Sequence, residues 1–110
     1  METILFRPLI VPAKTAVLLV FVPDSLTQQI VVNRLLERVG AELGDVVRIT
    51  RVDQVVHPEV VRSFGIQSLP SFILLRQGAE IWRHNGILDF QDLMRLLTER
   101  LHEAAGCQPH

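Results

Sequence analysis

The sequence predicts an α/β fold with a mixed central β-sheet flanked by helices. The continuously apolar run Ala16–Val22, rich in branched residues, is typical of a strand buried on both faces of a sheet. A segment with helical periodicity follows at once, and a partly alternating run after it completes a βαβ unit. Two later strand-like runs joined by the turn Gln77-Gly78 predict an antiparallel hairpin. Parallel and antiparallel pairing together give a mixed sheet.

The elements before the hairpin follow from local signals. The run Thr3–Val11 is apolar but contains proline, so it predicts an edge strand. Ser25-x-x-Gln28 is a capping-box pattern that starts a helix, and Gly44 ends that helix. The apolar positions assigned to its core face are Ile30, Val31, Leu35, Leu36, Val39 and Leu43. The next strand, parallel to the first, is predicted over Val46–Val52.

The remaining elements are a short helix, the hairpin and a final helix. Residues 53–64 predict a loop and a short helix with Pro58 at an early helical position. The hairpin strands are predicted over Ser71–Arg76 and 80–84, and Asp89 caps the last helix. The apolar face of this helix comprises Phe90, Leu93, Leu96, Leu97 and Leu101.

Composition limits the possible functions. The 110 residues, 48% of them hydrophobic, suffice for one domain, predicted over residues 1–103 with a flexible tail over 104–110. Eleven basic and twelve acidic residues give a net charge of -1, which disfavours binding to nucleic acid or to an anionic membrane. Glu2 stands where a secretory signal carries positive charge, and no run is long enough to span a membrane. With Cys107 as its single cysteine, the chain is expected to be cytoplasmic.

Four short motifs carry a resemblance to a known family. Gly65-Ile66-Gln67-Ser68-Leu69-Pro70-Ser71-Phe72 is similar to the Gly-Ile-x-x-Ile/Val-Pro-Thr segment of thioredoxins. Val52-Asp53, Gln77-Gly78-x-Glu80 and Asn85-Gly86 match family positions at the right spacings. The resemblance runs from about Thr15 to Leu101 and implies a thioredoxin-like fold.

The resemblance also implies details of conformation and assembly. The proline at position 70 is cis in the family. About 20 residues precede Phe21, where thioredoxins place a strand and a full helix, so the first helix is expected to be short or missing. A sheet face left open in this way offers a surface for a partner or for a second copy of the chain.

The redox residues of the family are absent. The Cys-x-x-Cys positions, at the start of the first predicted helix, are occupied by Leu26 and Gln29. The family's buried aspartate falls at Val20, and its lysine partner falls at about Ile49. We therefore expect a redox-inactive member with no catalytic residue and no cofactor, for which a role in cell redox homeostasis rests on analogy alone.

Peptide or partner-protein binding is the function that the resemblance favours. In the family, the backbone of the residue before the cis-proline, here Leu69, pairs with an extended peptide. The predicted binding residues are Val22, Leu26, Ile66, Leu69, Pro70 and Ile87. Such a chain is similar to the thioredoxin-like accessory chaperones of bacterial hydrogenase maturation and to the non-catalytic domains of disulfide isomerases. A chaperone- or adaptor-like role follows.

Two alternatives remain open. A residual thiol- or glutathione-linked enzyme needs cysteine or serine at the helix start, and Ser25 is one residue away from that position. A structural subunit could form a homodimer through the N-terminal segment. Size-exclusion chromatography of the chain with and without residues 1–11 separates that subunit from a monomeric binder.

Other chemically active residues have ordinary interpretations. Cys107 lies in a tail beside glycine and proline and is expected to be incidental. The histidines, at positions 57, 84, 102 and 110, fit no metal signature. Asp24 and Ser25 are typical helix caps, Asp53 is expected to cap the next turn, and Trp82 is expected to pack on a half-buried strand.

Overall fold

The computed structural model describes residues 15–106, with side chains described through residue 102. The strands are β1 (Ala16–Val22), β2 (Val47–Asp53), β3 (Ser71–Arg76) and β4 (Ala79–Asn85). The helices are α1 (Leu26–Leu43), α2 (Pro58–Ser63) and α3 (Phe90–Gly106), and a 3₁₀ turn spans Gly44–Val46. The α/β prediction is confirmed for these elements. The predicted N-terminal edge strand, the expectation of a short or missing first helix and the open sheet face derived from it depend on residues outside the described range.

The four strands form one sheet in the order β2-β1-β3-β4. β1 pairs in parallel with β2 and antiparallel with β3, so the sheet is mixed as predicted. Phe21 lies opposite both Val52 and Ser71, and Ser71 lies opposite Asn85. The loops after β1, β2 and β4 and the loop before β3 therefore meet at one end of the sheet, which we call the site end.

Two apolar cores cover the two faces of the sheet. The α1–α3 core lies between the sheet and the two long helices, and its main members are Leu18, Val20, Val32, Leu36, Val39, Phe72, Leu74, Leu93 and Leu97. The α2 core on the other face contains Val17, Leu19, Phe21, Val52, Ile73 and Leu75. Successive β1 residues alternate between the cores, and every β1 residue is buried. The prediction that this strand is buried on both faces is confirmed.

The buried face of α1 differs from the predicted one. Ile30 and Val31 were expected in the core, but they are 52% and 50% exposed. Val32 is fully buried instead, beside Leu35, Leu36 and Val39. Apolar residues occupy more than one face of this helix, so periodicity alone does not fix its rotation against the sheet. The assignment of Ile30 and Val31 to the core face was wrong.

The C-terminal helix is longer than predicted. The Asp89 carboxylate accepts a hydrogen bond from the backbone N–H of Asp92 (2.8 Å), which confirms the predicted cap. The guanidinium of Arg38 lies 3.8 Å from the centre of the Phe90 ring and joins α1 to α3. α3 continues to Gly106, so the first residues of the predicted tail are helical, and residues 107–110 lie outside the described range. No helix among residues 15–106 has the length and apolar character needed to cross a membrane.

A β-bulge in β4 brings two charged residues to the same face. Leu74 pairs with Trp82 whereas Leu75 pairs with Glu80, so Ile81 is the extra residue. Glu80 and Arg83 consequently meet, at 2.8 Å and 2.9 Å, in a two-pronged ion pair. Arg83 also donates to the carbonyl of Phe64 (2.9 Å), which fixes β4 to the segment that follows α2.

The ion pair in β4 predicts a small, pH-dependent contribution to stability. Its hydrogen bond holds the pKa of the Glu80 carboxyl below its usual range and raises the pKa of Arg83. Because the folded-state pKa of Glu80 is the lower one, the stabilisation is present above the unfolded carboxyl pKa and is lost as the pH falls through the folded value. Both side chains are partly exposed, so we expect Glu80→Gln to lower the free energy of unfolding at pH 7 by under about 1 kcal/mol. Urea unfolding measured from pH 7 downward should show the difference shrinking.

The matched control for this prediction is Glu42→Gln, which removes an exposed carboxylate of α1. It should leave stability nearly unchanged at every pH. A loss in Glu80→Gln that does not vary with pH would contradict the argument.

Candidate functional site

The site end is formed by loops that hydrogen bonds hold together. The peptide bond between Leu69 and Pro70 is cis. The carbonyl of Pro70 accepts from the backbone N–H of Gly86 (2.8 Å), which joins the loop before β3 to the loop after β4. Asp24, after β1, accepts from the Gln54 carboxamide (2.7 Å), which joins that loop to the one after β2. The four loops are thus joined in two pairs, which the sheet register brings to the same end.

Leu26 presents a large exposed apolar side chain at the site end. It is the first residue of α1 and is 75% exposed. Ser25 caps the helix by accepting from the backbone N–H of Gln28 (3.4 Å), as the capping-box pattern predicted. The position at which the resemblance places the family's nucleophile is thus an exposed aliphatic group.

Gln29, at the second cysteine position, has a structural contact. Its carboxamide donates to the carbonyl of Pro23 (2.8 Å) and lies 3.4 Å from that of Asp24. This side chain closes the turn that leads from β1 into α1. Both former cysteine positions are therefore occupied by side chains that cannot undergo thiol chemistry.

Two valines that the sequence interpretation missed are also exposed at the site end. Together with Leu26 and Ile87 they form what we call the apolar surface. Asp53 accepts at Oδ1 from the backbone N–H groups of Val55 (2.7 Å) and Val56 (3.4 Å). This turn presents Val55 at 76% exposure and Val56 at 63%. The sequence did contain a signal for this exposure. Two adjacent valines lie in a polar loop, where neither a strand nor a helix periodicity accounts for apolar residues.

The loop before β3 is anchored by a buried hydroxyl. Ser71 is fully buried, and it is the single buried polar side chain in the described part of the chain. Its hydroxyl donates to the Ser68 carbonyl (2.6 Å) and lies 3.0 Å from the carboxamide oxygen of Asn85. Because a hydroxyl has one proton, it serves one acceptor at a time, and the shorter bond is to Ser68. Ser71 thereby fixes the loop that carries Leu69.

The backbone of Leu69 is available for pairing. Neither its N–H nor its C=O has a hydrogen-bond partner among residues 15–106. Its side chain is directed elsewhere, since Leu69 and Ile66 pack against the α2 core and are partly buried. Leu69 thus leaves its backbone N–H and C=O without partners among these residues, while its side chain packs against the α2 core.

The six predicted binding residues occupy different environments. Val22 and Pro70 are buried, and Ile66 and Leu69 are partly buried. Leu26 and Ile87 are exposed, Ile87 by 56%. Their role in binding stays a prediction, and the side chains that reach the surface are Leu26, Ile87, Val55 and Val56.

Aliphatic side chains occupy the positions of the family's buried proton-relay pair. Val20 is fully buried within the α1–α3 core. Ile49 is partly buried against the same core, and its Cδ1 lies 3.7 Å from the position of a Cβ added to Gly40. No ionisable side chain among the described residues is buried behind the start of α1.

The other chemically active residues have structural roles. His57 precedes α2 without a side-chain cap bond and lies 3.9 Å from Glu59. Trp82 packs against the α1–α3 core, as predicted, and stacks on His84 at 6.2 Å between ring centres. In the described part of the chain, no three His, Cys, Asp or Glu side chains are grouped so that they could hold a metal ion.

Sequence comparison identifies thioredoxins and thioredoxin-like proteins as relatives. No protein-family model matches the chain. A thioredoxin-like protein of Synechocystis is 30% identical over 63 residues, which are 57% of this chain and 60% of the relative. The thioredoxin of Chlamydia muridarum is 34% identical over 65 residues, 59% of this chain and 63% of the relative. In both cases the match spans less than two thirds of the relative's length.

Comparison with solved structures also identifies the thioredoxin fold. A solved structure of a malarial protein superposes with a TM-score of 0.72 at 22% identity, covering 79% of this chain and 98% of that one. Thioredoxin-2, a component of the malaria parasite's protein secretion machinery, gives a TM-score of 0.72 at 21% identity over 77% and 82%. At such identities the likeness concerns the fold. Fold and sequence relatives together show that this chain has a thioredoxin-like fold and resembles thioredoxins, and that it lacks the Cys-x-x-Cys motif.

Proposed function

We propose that this protein binds an extended segment of a partner protein at the site end, in a chaperone- or adaptor-like role, without exchanging disulfides. The observation that carries the proposal is the peptide group of Leu69, whose N–H and C=O lack partners among the described residues. It lies in the same group of loops as the exposed side chain of Leu26. A cytoplasmic location remains a prediction from the single cysteine.

Backbone pairing provides the first part of the proposed contact. A main-chain N–H and C=O without protein partners attract the complementary groups of an extended peptide, because protein backbones pair most of these groups. A peptide that pairs with Leu69 adds a short strand beside the loop that enters β3. The Ser71 hydroxyl holds that loop through Ser68, so little order needs to be gained on binding.

Apolar contact provides the second part. Leu26 and Ile87, together with the valine pair Val55 and Val56, present aliphatic side chains at the site end. Fully burying one such side chain contributes about 1.5–3 kcal/mol. Alternate side chains of an extended peptide point to the same side, so they suit a row of aliphatic contacts.

The residues present do not support thiol exchange. A disulfide is transferred when a thiolate attacks one sulfur and a second thiol resolves the mixed disulfide. The two positions that carry these thiols in the family are Leu26 and Gln29. The buried carboxylate that assists proton transfer there is replaced by Val20. Binding is the part of the family's function that the remaining residues still support.

Leu26→Asp is expected to weaken peptide binding about tenfold or more, because it places a charge in the apolar surface. The probe is a fluorescein-labelled peptide with alternating valine and leucine between glutamine flanks, followed by fluorescence anisotropy. The substitution suits the fold, since an acidic residue in the first turn of α1 is favourable. In the wild-type protein, the backbone amide NMR signal of Leu69 should shift when the peptide is added.

The matched control is Val46→Asp, which places the same charge at an apolar position with 51% exposure in the 3₁₀ turn before β2, away from the site end. It should change the dissociation constant less than about twofold. If Leu26→Asp and Val46→Asp bound the labelled peptide with equal affinity, or if the wild type did not bind it, the proposal would be contradicted. Reduction of insulin disulfides above the protein-free rate would contradict its non-redox part.

A further inference from the structure

The loops of the site end carry acidic residues and no lysine or arginine. Asp24 follows β1, Asp53 ends β2 and Asp89 precedes α3. Residues 23–25, 53–57, 66–70 and 86–89 contain no lysine or arginine, although the chain has eleven of them. The loops that present the exposed aliphatic side chains therefore also carry three carboxylates.

The hydrogen bonds of these carboxylates leave their charge in place. Asp24 accepts from the uncharged carboxamide of Gln54. Asp53 accepts from the backbone N–H of Val55, and Asp89 accepts from that of Asp92. None of these donors carries a charge that would offset the carboxylate.

Four of the described arginines contact groups outside these loops. Arg83 pairs with Glu80 on β4, and Arg95 pairs with Asp92 on α3 at 3.3 Å. Arg51 donates to Asn33 of α1 (2.7 Å), and Arg38 lies over an aromatic ring. Within residues 15–102, no ion pair joins an arginine to Asp24, Asp53 or Asp89. A partner can supply the opposite charge that these described residues do not.

We propose that the segment bound at the site end is an aliphatic stretch flanked by lysine or arginine. The inference rests on the proposed binding function and specifies its partner. The aliphatic part contacts Leu26 and the valine pair, while flanking cations approach the carboxylates of Asp24 and Asp89. Complementary charge at the rim of an apolar contact raises the association rate and disfavours partners of the same charge.

An acidic segment is the competing occupant, because the N-termini of α1 and α3 also face the site end and favour anions. That preference is confined to the first turn of each helix. The first turn of α3 already has Asp89 as its cap, and Ser25 caps α1. The carboxylates therefore dominate the charge that a partner meets.

Three labelled peptides that differ only in their flanks test this inference. Each has the same valine and leucine core, with lysine, glutamine or glutamate on both sides. We expect the lysine-flanked peptide to bind the wild-type protein about tenfold more tightly than the glutamate-flanked one at about 20 mM salt. The ratio should fall below about threefold at about 500 mM salt, because exposed charges are screened.

Charge-neutral variants link the effect to particular residues. Asp24→Asn combined with Asp89→Asn keeps an acceptor for each hydrogen bond and removes both charges. We expect this double variant to lower the lysine-to-glutamate ratio about threefold or more. Asp45→Asn, in the 3₁₀ turn at the other end of the sheet, should leave the ratio unchanged.

The outcomes separate the two proposals. Equal affinity for the lysine and glutamate peptides overturns the charge inference and leaves the proposed binding function intact. Tighter binding of the glutamate peptide overturns it in favour of an acidic partner. If none of the three peptides binds, the binding function fails and the charge inference fails with it.

Discussion

Val20→Asp is expected to unfold the domain at pH 7, or to lower its free energy of unfolding by about 4 kcal/mol or more. Val20 is fully buried in the α1–α3 core, where its neighbours are apolar. The substitution would install a carboxylate at the position where the resemblance places the family's aspartate, without its lysine partner, which the resemblance places at about Ile49.

The cation on the neighbouring strand offers little compensation. Arg51 lies opposite Val20 in the parallel register, but it is exposed and its guanidinium donates to Asn33 (2.7 Å). Pairing with a carboxylate at position 20 would require the guanidinium to leave solvent and to give up that bond. Burying both charges costs free energy that a single pair seldom recovers.

The pH dependence of this variant has a definite sign. Burial raises the pKa of the introduced carboxyl in the folded state above its unfolded value of about 3.9. Below the unfolded pKa the carboxyl is protonated in both states and the loss of stability is smallest; the loss grows as the pH rises toward the folded value. Urea unfolding followed by the fluorescence of Trp82, the single tryptophan, measures it.

Val20→Asn is the matched control, because it has the same shape and no charge. Its loss of stability should be large but should not vary with pH through the carboxyl range. If the aspartate and asparagine variants were equally stable at pH 7, the carboxylate would be solvated or paired, and the argument would fail. Circular dichroism establishes whether each variant folds at all.

Phe21→Ala is expected to lower the free energy of unfolding by about 3–5 kcal/mol. Phe21 is fully buried in the α2 core, and its ring lies 5.8 Å from that of Phe64, tilted by 60°. Phe64 follows α2 and its carbonyl accepts from Arg83. The cavity would therefore loosen the segment that leads to Leu69, and hydrogen exchange at residues 66–69 should become faster than in the wild type.

Phe21→Leu is the control for this effect. It keeps an apolar side chain of intermediate volume, and we expect it to lose less than half of what the alanine variant loses. Equal losses for both variants would show that the aromatic contact, and not the cavity, dominates. A loss below about 1 kcal/mol for Phe21→Ala would contradict the assignment of Phe21 to a tightly packed core.

The candidate site was predictable from sequence only in part. The segment from Gly65 to Phe72 and the residues at the two cysteine positions could be read directly, because they depend on chain order and local backbone geometry. Side-chain exposure could not, since Ile66 and Leu69 pack against the α2 core while Val55 and Val56 reach solvent. Whether an apolar side chain is buried depends on residues distant in sequence.

Short-range signals in the sequence determined the central strand, the helix caps and the absence of thiols from the start of α1. Ser25, Asp89 and the apolar run of β1 act over a few residues, so their effects are visible without the fold. The tertiary structure alone decided which side of α1 faces the core. It also decided that a bulge joins Glu80 to Arg83 and that the loops carrying Asp24, Asp53 and Asp89 meet at one end of the sheet. These features depend on register and packing between distant segments, which local propensity does not encode.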